Sequence, residues 1–218
     1  MKSVLFRASI VALIFIVGSI IGYNYKYKNK GLKIYSAADL NPALVGADSS
    51  KLDKPHFIGD FTLINQLGKT ITPENFKDKI YVANFIFTTC PGICPIMTNN
   101  METVYKKFKS DSQILFISHT VMPETDSVPV LLKYANKKGA DANKWFFVTG
   151  KKTQLYDLAR DQSFAALSEG NGSAEDFVHT ENFVLVDTKK RIRGIYDGTS
   201  FDEIDKLILD IQTLKDEK

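Results

Sequence analysis

Cysteine, histidine and tryptophan are all scarce: two, three and one copy respectively in 218 residues. Two cysteines exclude the disulfide framework that staples small secreted domains, so a hydrophobic core must hold the fold. At this length the chain has enough residues for one ordinary domain plus an anchor, and too few for two comfortable cores. Internal repeats and low-complexity tracts are missing as well. So is a basic face: the formal charge of +3 is local, because residues 1–30 hold Lys2, Arg7, Lys26, Lys28 and Lys30 and no acid. Of the 28 basic residues, 23 therefore remain against 25 acidic ones, a net of −2 beyond residue 30. That balance gives no footprint for nucleic acid, which calls for clustered positive charge. Hydrophobic residues make up 44% and charged residues 24% of the chain, as in a globular protein.

The sequence does contain one long uncharged run, residues 8–25, rich in Ile, Val, Leu, Ala and Phe. Its 18 residues are just enough to cross a bilayer as a helix. Tyr23, Tyr25 and Tyr27 then fall where an interfacial aromatic belt would lie. The run ends in Gly22-Tyr23-Asn24-Tyr25-Lys26 without a small-x-small cleavage pattern, which favours an uncleaved signal-anchor over a removed signal peptide. Lysines flank the run on both sides, so charge alone leaves the orientation open. The expected organisation is a signal-anchor over residues 1–30, a tether without a core of its own over 31–54, and one domain over 55–218.

Within that domain, Phe61-Thr62-Leu63-Ile64 and Thr70-Ile71-Thr72 flank a Gly68 turn and read as a hairpin. Residues 73–76 suit a short helical turn. The near-continuous apolar runs 80–87 and 114–118 read as strands buried on both faces, with a third strand at 145–148. Helices are expected over 97–108, 128–138 and 153–160, and a Gly-, Ser- and acid-rich loop over 163–176. Strands at 183–186 and 192–196 form a closing hairpin. Apolar residues at Ile204, Leu207, Ile208, Ile211 and Leu214 mark a final amphipathic helix. Strands alternating with helices, then a hairpin and helix, predict an α/β sandwich around a mixed sheet.

Both cysteines lie in Phe87-Thr88-Thr89-Cys90-Pro91-Gly92-Ile93-Cys94-Pro95, between a buried strand and a helix. That is the carboxyl end of the strand, where open α/β sheets commonly carry their sites. A helix N-terminus favours thiolate over thiol and makes the sulfurs better nucleophiles and ligands. A purely structural disulfide is a poor account, because so short a loop contributes only about 2 kcal/mol. Three intervening residues leave two chemistries open, thiol–disulfide exchange and binding of a soft ion. Dedicated thioredoxin-like exchange usually has two. Cu(I) accepts a few thiolate and imidazole ligands, whereas structural Zn(II) wants four. Of the histidines, His56 reads as a domain-edge residue and His119, at the end of the second buried strand, as a hydrogen-bonded loop residue able to approach the site. His179 follows the acidic loop, from which an imidazole could swing onto a metal held by two sulfurs.

Residues 55–200 resemble the Sco/SenC family of copper proteins. The signature Cys-Pro-x-x-Cys-Pro stands as Cys90-Pro91-Gly92-Ile93-Cys94-Pro95, after the matching Phe-x-Phe-Thr-x run. Pro123-Glu124-Thr125-Asp126-Ser127 echoes the family's Pro-x-x-Asp-Thr segment, and Trp145-Phe146-Phe147-Val148-Thr149-Gly150 its Trp-x-Phe-x-Thr-Gly segment. The family's metal histidine falls on His179. The resemblance implies a thioredoxin-like fold and copper, as Cu(I) with Cu(II) as a further state, held by Cys90, Cys94 and His179. It implies delivery to the binuclear copper centre of cytochrome c oxidase, with the copper-bearing subunit and a copper donor protein as partners. It also implies a domain outside the cytoplasm, on the periplasmic side of the inner membrane in a bacterium. Reduction of the oxidase subunit's cysteines is the alternative function, with Cys90 and Cys94 as redox thiols. A peroxiredoxin-type enzyme shares the sheet but expects a different active-site sequence. Two positions depart from the family: Gly92 stands where many members have Asp, and His119 lies in a segment often acidic in relatives.

Overall fold

In the computed structural model the structure describes residues 17–19, 31–36, 39, 55–162 and 180–217. Most of the signal-anchor and of the tether expected from the sequence, the 163–176 loop and His179 lie outside them. No helix among the described residues is long and apolar enough to cross a membrane.

Seven strands form one mixed sheet: β1 (Leu63–Asn65), β2 (Thr70–Ile71), β3 (Ile80–Ile86), β4 (Ile114–Thr120), β5 (Trp145–Thr149), β6 (Asn182–Val186) and β7 (Ile192–Asp197). Their spatial order is β2-β1-β5-β4-β3-β6-β7. β3, β4 and β5 run parallel, joined through α1 (Cys94–Phe108) and α2 (Val128–Lys137); the outer pairings are antiparallel. Parallel strands need such helical crossovers, and these three strands are buried on both faces along nearly their whole length.

The β1–β2 turn is set by Asn65, whose side-chain oxygen accepts the N–H groups of Leu67 and Lys69 at 2.9 Å each. Gly68 follows at φ +74°, a conformation glycine adopts without steric cost. Residues 73–76 form the expected helical turn, of 3₁₀ type. Helix α3 (Lys152–Asp157) passes into a π turn at Leu158–Gln162, and α4 (Phe201–Asp216) closes the chain. Ser200 caps α4 by accepting the Glu203 N–H.

The apolar side chains divide between the two faces of the sheet. On one, Val82, Phe116, Trp145 and Phe147 meet Met97, Met101 and Val104 of α1 and Leu207 and Ile211 of α4. On the other, Tyr81, Phe85, Ile117 and Val148 meet Phe61, Phe76, Leu155 and Tyr156. One polar thread crosses the first layer: the indole N–H of Trp145 donates to Ser118 Oγ, which donates to Asn84 Oδ1. α1 begins at Cys94, three residues before the start expected from apolar periodicity at Met97. Its first turn is chosen by the cysteine loop, not by an apolar stripe.

Candidate functional site

The loop between β3 and α1 places Cys90 on the chain just past the carboxyl end of the central strand and Cys94 at the first helical position. Ile93 is the N-cap residue and offers no side-chain acceptor, and the first turn contains no acid. The orphan amides of a helix start need acceptors, and here the Cys90 sulfur receives the N–H groups of Cys94, Gly92 and Ile93. The sulfur thus takes the position that a Ser or Asp cap would otherwise hold.

The two thiols are free and lie within hydrogen-bonding reach of each other, yet their environments differ. Partial burial by itself would raise Cys90, but the amides and the neighbouring Cys94 thiol outweigh it and hold Cys90 below an ordinary thiol. Cys94 is only 6% exposed. Burial, reinforced by the adjacent Cys90 sulfur, pushes it up to about 12 despite an amide from Phe87. At neutral pH the arrangement is one thiolate-prone sulfur accepting a hydrogen bond from one retained thiol.

A cavity of about 340 Å³ opens beside the pair, lined by Phe85, Phe87, Pro91, Ile93, Val121 and Thr180 as well as both cysteines. Its described lining carries no charged side chain. Two sulfurs on an apolar wall suit a soft d¹⁰ ion and give nothing to a hard, oxygen-seeking one. Among the described residues no third His, Cys, Asp or Glu joins them. Thr180 lines the cavity; His179, its neighbour in sequence, lies outside the described residues.

His119 corrects an expectation. It belongs to β4 itself, not to a loop, and faces the sheet layer opposite α1. It stacks on Phe85 at 4.7 Å, meets Phe61 edge-on, and its Nδ1 lies 3.2 Å from the Asn84 carbonyl oxygen, to which it donates. Burial lowers its pKa to about 4, with the Asn84 bond opposing, so the ring is neutral at pH 7. It is not among the residues lining the cysteine cavity. His56 sits at the domain edge as expected, its N–H donating to the Tyr35 carbonyl.

Beneath the loop is Asp126, whose segment matched the family pattern but whose role sequence reasoning missed. Its fully buried carboxylate accepts Thr88 N–H at 3.1 Å, Thr88 Oγ1 at 2.6 Å and Thr120 Oγ1 at 2.6 Å. Among the described residues no salt bridge reaches it, and these hydrogen bonds satisfy its oxygens. They tie Thr88, two residues past β3 and two before Cys90, to the end of β4. On the other flank, Tyr134 of α2 donates to Thr98 Oγ1, which donates to the Cys94 carbonyl at 2.7 Å. Apart from that family pattern, the local signal for Asp126 is an acid immediately before the Ser127 cap, indistinguishable from an exposed helix-start acid.

A strand, a dithiol loop and a helix start capped by sulfur, on a mixed sheet with helices on both faces, define a thioredoxin-like domain built around a cysteine pair. SCO1/SenC is the family that matches residues 49–216, and the chain belongs to it. The Bacillus subtilis protein named "SCO1 protein homolog" is 31% identical over 154 residues, covering 70% of this chain and 80% of its own length. The solved structure of BsSco, described as a member of the Sco family of cytochrome c oxidase assembly proteins with a disulfide switch, is 30% identical. It superposes with a TM-score of 0.63 over 75% of this chain and 96% of its own. Arabidopsis thaliana ScoI, solved with copper bound, has a TM-score of 0.58 over 72% of this chain and 98% of its own. At 23% identity it supports the shared fold alone.

Proposed function

We propose that this chain is a membrane-anchored copper carrier that takes up Cu(I) through Cys90, Cys94 and His179 and passes it to the binuclear copper centre of cytochrome c oxidase. The observation that carries this reading is the pairing of two unlike sulfurs on a cavity wall whose described residues carry no charge. The oxidase-assembly description of BsSco, 30% identical to this chain, supports it. Copper is the cargo, and the sulfurs supply soft, low-coordinate ligation for it. Cys90, partly exposed and thiolate-prone, makes first contact; Cys94 gives up its proton only when the ion arrives, so loading releases protons. His179 closes the coordination, a reading supported by Thr180 on the cavity wall. The anchor is residues 8–25, with the domain on the extracytoplasmic side.

A second reading, thiol–disulfide exchange toward a copper-site subunit, is favoured by the same asymmetry. An activated outer sulfur beside a buried partner is the arrangement of attacking and resolving thiols. The two cysteines would lose two electrons and two protons to the substrate disulfide and form their own.

His179→Ala separates the readings. Under the copper reading it lowers Cu(I) affinity at least about tenfold, ~1.4 kcal/mol, leaves the thiol potential near its original value, and costs oxidase loading as fully as Cys90→Ser. Retained affinity and retained oxidase assembly in His179→Ala would overturn copper delivery and leave exchange in its place.

A further inference from the structure

At the far end of the sheet from the cysteines, residues 31–36 are bound down across the β7 edge. Arg193 of β7, 5% exposed, donates from Nη2 to the Leu32 carbonyl at 2.7 Å and from Nε to the Lys33 carbonyl at 3.2 Å. The same guanidinium pairs with Asp187 at 3.1 Å and Glu217 at 2.5 Å. Glu217 in turn accepts the Leu32 N–H at 2.5 Å, and Tyr35 N–H donates to the Ile192 carbonyl at 3.0 Å. Leu32 packs against the apolar layer on one face of the sheet and Tyr35 against the layer on the other. The segment therefore crosses the sheet edge as a strap, and a buried arginine holds its carbonyls.

The register fixes which end this is. Val186 pairs with both Tyr81 and Ile192, so the strap lies at the amino end of β3, while Cys90 follows its carboxyl end. The seven residues of β3 separate the two by roughly 20 Å. Only seven residues lead from Tyr25, the last of the uncharged run, to Leu32, a reach of at most about 25 Å. Were the strap loose, the whole of 26–54 would be leash, able to extend to roughly 100 Å.

We propose that residues 31–36 are an orienting clamp: they hold the amino pole of the domain over the bilayer and present Cys90 and Cys94 away from it. This rests on residues 8–25 being the membrane anchor. The partner that fits such a presentation is a membrane-held protein whose soft-ligand or thiol site projects from the same surface, one sheet length or more above the headgroups.

The test uses the full chain in phosphatidylcholine vesicles carrying a gadolinium chelate on a fraction of headgroups. A nitroxide is attached at Cys90 in Cys94→Ser, or at position 188, beside the clamp, in Thr188→Cys combined with Cys90→Ser and Cys94→Ser. Relaxation enhancement falls steeply with distance, so it should be at least about fourfold stronger at position 188 than at Cys90, given the separation of one strand length. Leu32→Pro, which removes the N–H donated to Glu217, and Arg193→Met should each bring the ratio toward one. Should either variant fail to fold, the ratio in the unmutated clamp still decides. Equal enhancement at both positions, with the chain retained on vesicles, overturns the clamp and leaves the anchor standing. A chain that washes off the vesicles overturns the anchor and the clamp with it.

Discussion

The two ends of the central strand solve opposite problems with opposite chemistry. At the amino pole, Asp187, Arg191, Arg193 and Glu217 bring four charges together, two of them almost fully buried, to fasten chain segments distant in sequence. At the carboxyl pole the described cavity lining is uncharged, Ile93 and Ile96 are left exposed, and the polar work is done by backbone amides and sulfur. A buried ion pair holds one geometry firmly, because breaking it strands a charge. A site that must accept and release a soft ion or a disulfide partner gains from the reverse, a low-charge surface where the sulfurs are the strongest ligands. Asp126 sits at the border, using a buried carboxylate to hold the cysteine loop from beneath while staying outside the cavity lining.

That contrast makes substitutions unequal at the two poles. The largest effect is expected from Asp187→Ala, which leaves Arg193 and Arg191 without their shared acceptor. Burial pushes the Asp187 carboxyl up, but Arg191, Arg193 and two backbone amides outweigh it and hold it below the usual carboxylate range. Arg193 keeps Glu217 and the Leu32 and Lys33 carbonyls, so the loss in urea denaturation should approach but not exceed the roughly 3–5 kcal/mol of a fully broken buried pair. Cys94→Ala, at the other pole, should cost far less; equal losses would erase the distinction.

At the carboxyl end of β4, on the sheet face opposite α1, His119 should make stability depend on pH. Its folded value of about 4 lies below the ordinary 6.5, so the unfolded chain binds the proton more readily. The contribution is fully present above about pH 6.5 and is lost as pH falls toward 4, on the order of 2–3 kcal/mol. Denaturation midpoints for the original and His119→Phe should diverge over that window. Parallel curves would show the ring already solvated.

Within the cysteine pole the two sulfurs should separate by reactivity. Iodoacetamide at pH 7.5, on reduced metal-free protein, should label Cys90 at least about tenfold faster than Cys94, because the first is held toward thiolate and the second is buried. Peptide mapping reads the ratio, and comparable rates would remove the basis for a contact-first sulfur.

The smallest effect sharpens the account of the uncharged wall. A Cβ at Gly92 would meet only the Cys90 sulfur, at 4.0 Å, so a larger residue fits there. Gly92→Asp should fold normally and slow Cys90 alkylation about two- to fivefold by placing an anion beside the thiolate. The slowing should shrink as salt rises, as an exposed charge requires. An unchanged rate would mean that the cavity tolerates charge after all.

Local pattern was enough for much of the architecture. The runs at 80–87 and 114–118 are buried on both faces because parallel strands between helices leave no wet side, and a continuous apolar run says so by itself. Asn65 and Gly68 specified their turn, and the heptad-like apolar stripe of α4 specified its inner face. The Cys90–Cys94 spacing, set between strand and helix, named the dithiol and its place at the carboxyl end. Other features depend on neighbours far away in the chain. The unlike states of Cys90 and Cys94 come from which sulfur the helix amides reach and which one the cavity wall covers. His119 lies in a strand because its backbone pairs with Phe85 and Val148, and no composition rule distinguishes that from a loop histidine one turn away. Asp126 and Arg193 look like ordinary surface charges until Thr88, Thr120, Leu32, Asp187 and Glu217 converge on them. The sequence by itself determined the elements and the reactive pair, since both are encoded by residues within a few positions of one another. The tertiary structure alone decided burial, ionisation and the fastening of the strap, since those depend on which distant groups exclude water from each site.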